Sequence, residues 1–276
     1  MSLHDKCALI PGASRPIGRA IAKKFAAAGA SLILPVFDWP ESISEMEKEF
    51  TESGFNFSII SVDLRDKSNV IDLAEDIKKE YGSIDYLINN IERGGMPIVH
   101  GSYDLAHNEN QWDIEFDTTL KAKWLLYNHC APLMKKRKGA SIVNISSISG
   151  ITGRSGPAAL LFNDGYSAAN CAVRSFTKNW AKELAPTVRV NELMLGLIMY
   201  RHGEKTRGWG VLSAPEKKNL LNTILLGRTG TPEEVADTAF FMAVDASYIT
   251  GTTIIMDGGF TLGGQNVPTI PSGILD

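Results

Sequence analysis

The first stretch whose residue types and spacing could do chemistry is Pro11-Gly12-Ala13-Ser14-Arg15-Pro16-Ile17-Gly18, set between a short apolar run and an amphipathic one. A glycine-rich turn that opens a helix lets the backbone approach a phosphate, which then rests at the helix N-terminus. Alone the turn is unspecific, because close helix–strand packing demands the same glycines. Further candidates follow at the ends of apolar runs: Val62-Asp63-Leu64, Asn89-Asn90, Ile142-Val143-Asn144-Ile145-Ser146-Ser147 and Tyr166-Ser167-Ala168-Ala169-Asn170. The segment Leu197–Ser213 collects Arg201, His202, Lys205, Arg207 and Trp209. A surface loop or a partner contact is expected there ahead of a lid over an anionic substrate. The 5 histidines show no metal-ligand spacing, so no metal site is expected. The 3 cysteines, Cys7, Cys130 and Cys171, lie far apart in apolar patterns and read as buried, reduced thiols.

Those residues need elements to hold them. Strands are expected at Cys7–Ile10, Ser31–Val36, Phe57–Val62, Tyr86–Asn89, Ser141–Ile145, Arg189–Leu195 and Thr252–Met256. Helices are expected at Ile17–Ala28, Ile43–Ser53, Val70–Tyr81, Glu109–Lys138, Tyr166–Leu184 and Pro232–Ala243. In the long fourth helix Trp112, Phe116, Leu120, Trp124 and Tyr127 recur every three or four residues, a stripe suited to core or subunit packing. Strand–helix alternation of this kind calls for an α/β, Rossmann-type doubly wound parallel sheet with helices on both faces. We expect residues 1–260 to form one such domain and 261–276, which lack periodicity, an extended C-terminal tail.

Composition excludes other classes. The net charge of −3, with 44% apolar and 21% charged residues, is ordinary for a globular chain. The basic run Lys135-Lys136-Arg137-Lys138 suits the C-terminal end of a helix rather than a nucleic acid or membrane surface. No apolar run approaches the ~20 residues of a membrane span. A cytoplasmic protein is expected.

Taken in order, these motifs resemble the short-chain dehydrogenase/reductase family over about residues 5–260. The ending Gly227-Arg228-Thr229-Gly230-Thr231-Pro232-Glu233-Glu234-Val235-Ala236, then Tyr248-Ile249-Thr250-Gly251 and Met256-Asp257-Gly258-Gly259, adds to the match. The resemblance implies that Tyr166 exchanges a proton with a secondary alcohol or ketone while NAD(P) exchanges a hydride. Ser147 would hold the substrate oxygen. Gly12, Ser14, Gly18, Asp63 and Asn89 would frame the cofactor.

Several positions depart from the family pattern. The lysine four residues after the tyrosine is Asn170, and a free tyrosine has a pKa near ~10. Losing such a cation is expected to cost ~10²–10⁴ in rate. The relay asparagine of the long helix is Thr119, and six extra residues separate Ser147 from Tyr166, an insertion around 153–163 long enough to part the two hydroxyls. The middle glycine of the phosphate loop is Pro16, which offers no N–H and pushes Arg15 toward an extended conformation. Val36 stands where an acidic residue would hold the adenosine ribose, with Asp38 two residues late. The family's Asn-Asn-Ala-Gly is Asn89-Asn90-Ile91-Glu92, which sets bulk and charge where the dinucleotide would lie. Leu195-Gly196 replaces a Pro-Gly pair that shapes the nicotinamide site, and a nearby Thr is Tyr200.

The glycines and turns that hold the fold remain, while the departures gather where cofactor or proton is touched. Ser147 and Tyr166 then read as inherited residues making ordinary hydrogen bonds. The leading expectation is a subunit without activity of its own, with NAD(P) bound weakly or not at all. It would pair with an active paralogue in a heteromeric, hydroxyacyl-CoA-type dehydrogenase, as a heterotetramer (or, alone, a homotetramer). Alternatives are an active NAD(P)-dependent enzyme with an altered site, and a dinucleotide-sensing regulator. In the altered-site reading Lys121 or Lys123 reaches inward only if the long helix is rotated from its plain register.

Overall fold

The computed structural model describes residues 2–94 and 96–263. Strands β1 Cys7–Leu9, β2 Ser31–Val36, β3 Phe57–Ser61, β4 Tyr86–Asn89, β5 Ala140–Ser147, β6 Val188–Leu195 and β7 Thr253–Met256 form one sheet in the order β3-β2-β1-β4-β5-β6-β7. Every pairing is parallel. All eight residues of β5 are buried, as a central parallel strand covered on both faces requires.

The helices in chain order are α1 Pro16–Ala27, α2 Pro40–Glu52, α3 Lys67–Glu80, α4 Pro97–His100, α5 Gln111–Phe116, α6 Ala122–Met134, α7 Ser149–Thr152, α8 Asp164–Leu184, α9 Arg207–Val211, α10 Ala214–Thr223 and α11 Pro232–Phe240. On one face of the sheet α1, α2 and α11 bury Ile17, Phe25, Met46, Phe50, Val235 and Ala239. On the other, α3, α6 and α8 bury Leu73, Ile77, Leu125, Cys130 and Trp180. A third apolar cluster lies beyond the strand ends and includes Phe162, Tyr166, Leu197, Trp209, Leu220 and Phe260.

The doubly wound sheet expected from the sequence is therefore present. Strand order reverses between β1 and β4, so the crevice beyond their carboxyl ends is where this architecture places a ligand. The turn after β1 and the segment after β4 form its two lips.

Four local expectations need correction. The helix expected over 109–138 is broken: α5 and α6 are joined by a π-turn, Asp117–Lys121. A π-turn inserts one residue into the helical winding and re-aims everything after it. The expected tail begins not as an arm but as a 3₁₀ turn, Phe260–Leu262, with Phe260 buried; residues 264–276 lie outside the described residues. Cys171 is exposed on α8, whereas Cys7 and Cys130 are buried as expected. The basic segment after β6 is not a plain surface loop, because Arg201, His202 and Trp209 turn inward.

Candidate functional site

The β1–α1 turn closes as its residues dictate. Gly12 takes a positive φ of 74°. A Cβ on Gly18 would sit 2.2 Å from Gly12 O and 2.7 Å from Asn90 Nδ2, so only glycine fits. Arg15 is the N-cap of α1 with φ −98° and ψ 155°, the extended conformation that Pro16 enforces. Asn89 is fully buried at the end of β4 and donates to Asn144 Oδ1 at 2.8 Å; Asn144 donates in turn to Thr177 Oγ1 at 2.9 Å. Gly18 and Asn89 thus serve the scaffold: neither lines the crevice. Gly12, Ser14 and Asp63 do line it. Asp63 is paired with Arg65, Oδ2 to Nη2 at 2.7 Å, and that hydrogen-bonded partner holds its carboxyl below the usual range.

The crevice is a cavity of about 580 Å³, within the size range of small-molecule sites. At its inner end stand Glu92, Arg201 and His202. Behind them lies Tyr166, fully buried. The Tyr166 hydroxyl donates to Glu92 Oε2 at 2.9 Å and accepts from Arg201 Nη2 at 3.2 Å. The same Arg201 Nη2 pairs directly with Glu92 and donates to Ser146 O at 3.2 Å. Ser147 lies close enough to the phenol to lower its pKa, and its Oγ accepts from the Ser149 N–H at 3.2 Å; the insertion between Ser147 and Tyr166 does not run out as an open loop. It folds instead into a 3₁₀ turn, Gly156–Leu160, that delivers Phe162 onto the Tyr166 ring at 5.9 Å between centroids.

Neither Ser147 nor Tyr166 lines the cavity. Burial pushes the Tyr166 phenol well above its ordinary pKa; Arg201 pulls it down and Glu92 pushes it up. The tyrosine is neutral, and its proton already has an acceptor inside the protein. His202 stacks edge-on against Phe162 at 5.2 Å and Tyr166 at 5.0 Å. Neither of its ring nitrogens has a partner among the described residues. Burial, followed by the charge of Arg201, lowers its pKa to about 3, so the ring is neutral.

Plain helical spacing hides one more participant, Lys123. The π-turn swings it inward, where it is completely buried and donates to Ile91 O and, at 2.8 Å, to Thr119 O. Thr119 Oγ1 accepts from the Arg93 N–H at 3.1 Å. Lys123 and Thr119 thereby clamp both sides of Glu92 in the β4 segment. Desolvation lowers the Lys123 pKa to about 7. Its ammonium has no hydrogen bond to Tyr166, so the rotated helix does not supply the missing cation. Arg201 is the cation that touches the phenol, and Glu92 neutralises it.

Asn170, in the lysine position, is buried and donates to its own helix at Tyr166 O, 3.0 Å away. Of the positions that the family places around the nicotinamide, Ser147, Tyr166, Asn170, Leu195 and Gly196 are absent from the cavity wall, whereas Tyr200 lines it. The residues present do not fit a nicotinamide in contact with Tyr166. Among the described residues no cluster of His, Cys, Asp or Glu could hold a metal ion, and no helix is long and apolar enough to cross a membrane.

A parallel doubly wound sheet with a glycine turn at its switch point, and a Ser–Tyr pair beyond β5, defines a reductase-type Rossmann protein. The family model described as enoyl-(acyl carrier protein) reductase matches residues 12–261. The chain is 33% identical over 264 residues to a 3-oxoacyl-(acyl-carrier-protein) reductase of Thermotoga maritima, covering 95% of this chain and 100% of that one. It is 32% identical to an NAD-dependent glycerol dehydrogenase of Listeria innocua, covering 95% and 96%. A short-chain dehydrogenase/reductase from Serratia marcescens superposes with a TM-score of 0.79 at 25% identity, covering 95% of this chain and all of that chain. The chain belongs to the short-chain dehydrogenase/reductase family. Members of this family generally use NAD(P) and form oligomers.

Proposed function

We propose that this chain is a non-catalytic subunit of a short-chain dehydrogenase/reductase assembly, in which an intact paralogue acts on a secondary alcohol or ketone of the hydroxyacyl thioester type. The observation that carries this reading is the covering of Tyr166 by the Glu92–Arg201 pair. A proton donor must reach the reacting oxygen within hydrogen-bond distance. Here that position is taken by a carboxylate of the same chain. Two-subunit dehydrogenases that pair an intact with a degenerate member fit this description. The one that oxidises 2-(hydroxyphenylmethyl)succinyl-CoA in anaerobic toluene breakdown is the particular assembly we favour.

The outer face of α5 and α6 supports assembly. Trp112 and Trp124 are 43% and 44% exposed, and large exposed aromatics suit the centre of an interface. The reading of an active, altered site would need Arg201 to ionise Tyr166. Glu92 opposes that, because a carboxylate beside the phenol favours its neutral form.

Reconstitution with an intact partner tests the proposal. Tyr166→Phe in this chain should leave the assembly's turnover within about twofold. Removing the partner's own tyrosine hydroxyl should cost ~10²–10⁴. A loss of a hundredfold on Tyr166→Phe would overturn the non-catalytic assignment.

A further inference from the structure

Away from the β1–α1 turn, the cavity has a second lobe. Its walls are drawn from residues 93–100 after β4 and residues 200–207 after β6. The two walls touch. A Cβ on Gly94 would lie 3.2 Å from His202 Cε1, and one on Gly208 would lie 2.4 Å from Met96 Sδ. We infer that this lobe is a binding site for a short dicarboxylate, held between Arg93 on one wall and Lys205 and Arg207 on the other. Binding there is independent of whether Tyr166 works.

The charges of the lobe do not cancel. Arg93 donates from Nε and Nη2 to Gln111 Oε1, at 3.2 and 2.9 Å, and that acceptor is neutral. Lys205 Nζ donates to Tyr200 Oη at 2.8 Å and lies 4.9 Å from the centroid of the same ring. Arg207 has no ion pair among the described residues. The carboxylates on the cavity wall are Asp38, Asp63 and Glu92. Asp63 is paired with Arg65 and Glu92 with Arg201, while Asp38 stands just past β2, where it acts on Arg65. Arg93, Lys205 and Arg207 are thus a local cationic surplus in a chain whose net charge is −3. His100, on the same wall, registers it: desolvation, then Arg207 and Arg93, hold its pKa below the ordinary value. An anion between such charges relieves their mutual repulsion.

His202 supplies a separate sign of a ligand. It is 2% exposed and lines the cavity, and neither of its ring nitrogens has a partner among the described residues. Buried polar groups are satisfied as a rule, and a neutral imidazole has one N–H to give. A carboxylate oxygen in the lobe takes that proton as a hydrogen-bond acceptor. Tyr200, His202 and Lys205 hold left-handed φ angles of 67°, 59° and 65°, and all three line the cavity. Strain of this kind collects at ligand clamps.

The kind of anion follows from the walls. Guanidinium forks match carboxylates in paired hydrogen bonds, and cations on both walls call for a carboxylate at each end of the ligand. Met96 and Val99 share the lining. They cover the methylene body of an organic acid, which inorganic phosphate lacks.

Calorimetric titration of the full chain with glutarate, glutaramide and inorganic phosphate tests the inference. Glutarate should saturate in the millimolar range, with phosphate at least about threefold weaker and glutaramide not binding. Arg207→Gln and His202→Phe should each weaken glutarate by about tenfold. Arg207 is exposed, and phenylalanine keeps the packing of the His202 ring on Phe162 and Tyr166; circular dichroism checks that both variants are folded. Arg15→Gln, at the α1 end of the same cavity, should leave the affinity unchanged. Failure of glutarate to saturate by about 50 mM, or glutaramide or phosphate binding as tightly, overturns the site. So does an unchanged affinity in Arg207→Gln or His202→Phe, or a loss in Arg15→Gln.

Discussion

Glu92→Ala is expected to lower the unfolding free energy by about 3–5 kcal/mol, the usual cost of leaving a buried charge without its partner. Arg201 and Glu92 have side chains only 9% and 17% exposed. Arg201 Nε is already a buried donor without an acceptor among the described residues, so the guanidinium has little left to fall back on. The Ser146 carbonyl and the Tyr166 oxygen are dipoles and cannot replace a carboxylate. Glu92→Ala combined with Arg201→Met should recover most of the loss, because an apolar replacement of both members of a buried pair is often neutral. Urea denaturation reads both effects as a shift in midpoint at unchanged slope. A single variant within about 1 kcal/mol of the parent would show that the pair is solvated and does not seal the tyrosine.

The second large effect concerns Lys123 and has a sign fixed by its pKa of about 7 in the fold. The unfolded chain titrates this lysine near ~10.4. Between those values the unfolded state holds a proton that the folded state lacks, so stability rises with pH at up to about 1.4 kcal/mol per unit. Below about 7 both states are protonated and this contribution is flat. The neutral amine still has two N–H donors, enough for Ile91 O and Thr119 O, so no hydrogen bond is given up as pH rises. Comparing the parent with Lys123→Met at pH 7 and pH 9, the parent should gain on the order of 2 kcal/mol relative to the variant. Parallel curves would mean that Lys123 stays charged and hydrated.

The sheet was legible because its evidence is repeated. Each strand is a short apolar run and each helix an amphipathic one, so seven local patterns agree on one architecture. The β1–α1 turn was legible to the level of one dihedral pair, since Pro16 leaves Arg15 little but the extended region. Glu92 was legible as a foreign charge near the cofactor. Its partner was not, because Arg201 lies over a hundred positions away (|i−j| of 109) in a segment with no periodicity.

That segment is shaped by left-handed residues at Tyr200, His202 and Lys205, and nothing in their types announces such a backbone. The helix α10 does carry a sequence mark, since Ser213 and Glu216 form a capping box. No helix was expected there, because the helix follows directly on the aperiodic stretch Leu197–Ser213. The π-turn is the deeper gap: Asp117–Lys121 contains neither Gly nor Pro, and tertiary packing alone turns Lys123 inward. Of the candidate site positions, Ser147 ends β5 and Tyr166 opens α8, as the strand and helix patterns lead one to expect. What no spacing conveys is that Glu92 and Arg201 hydrogen-bond the Tyr166 hydroxyl.

The most direct test of the central claim is NAD(P)H-linked turnover by the purified chain over a panel of 3-oxoacyl thioesters, ketones and secondary alcohols, beside Tyr166→Phe. With the phenol sealed behind Glu92 and Arg201, the parent should show no turnover above the variant. Turnover in the parent that Tyr166→Phe lowers by ~10²-fold or more would contradict the account and make Tyr166 a working proton donor.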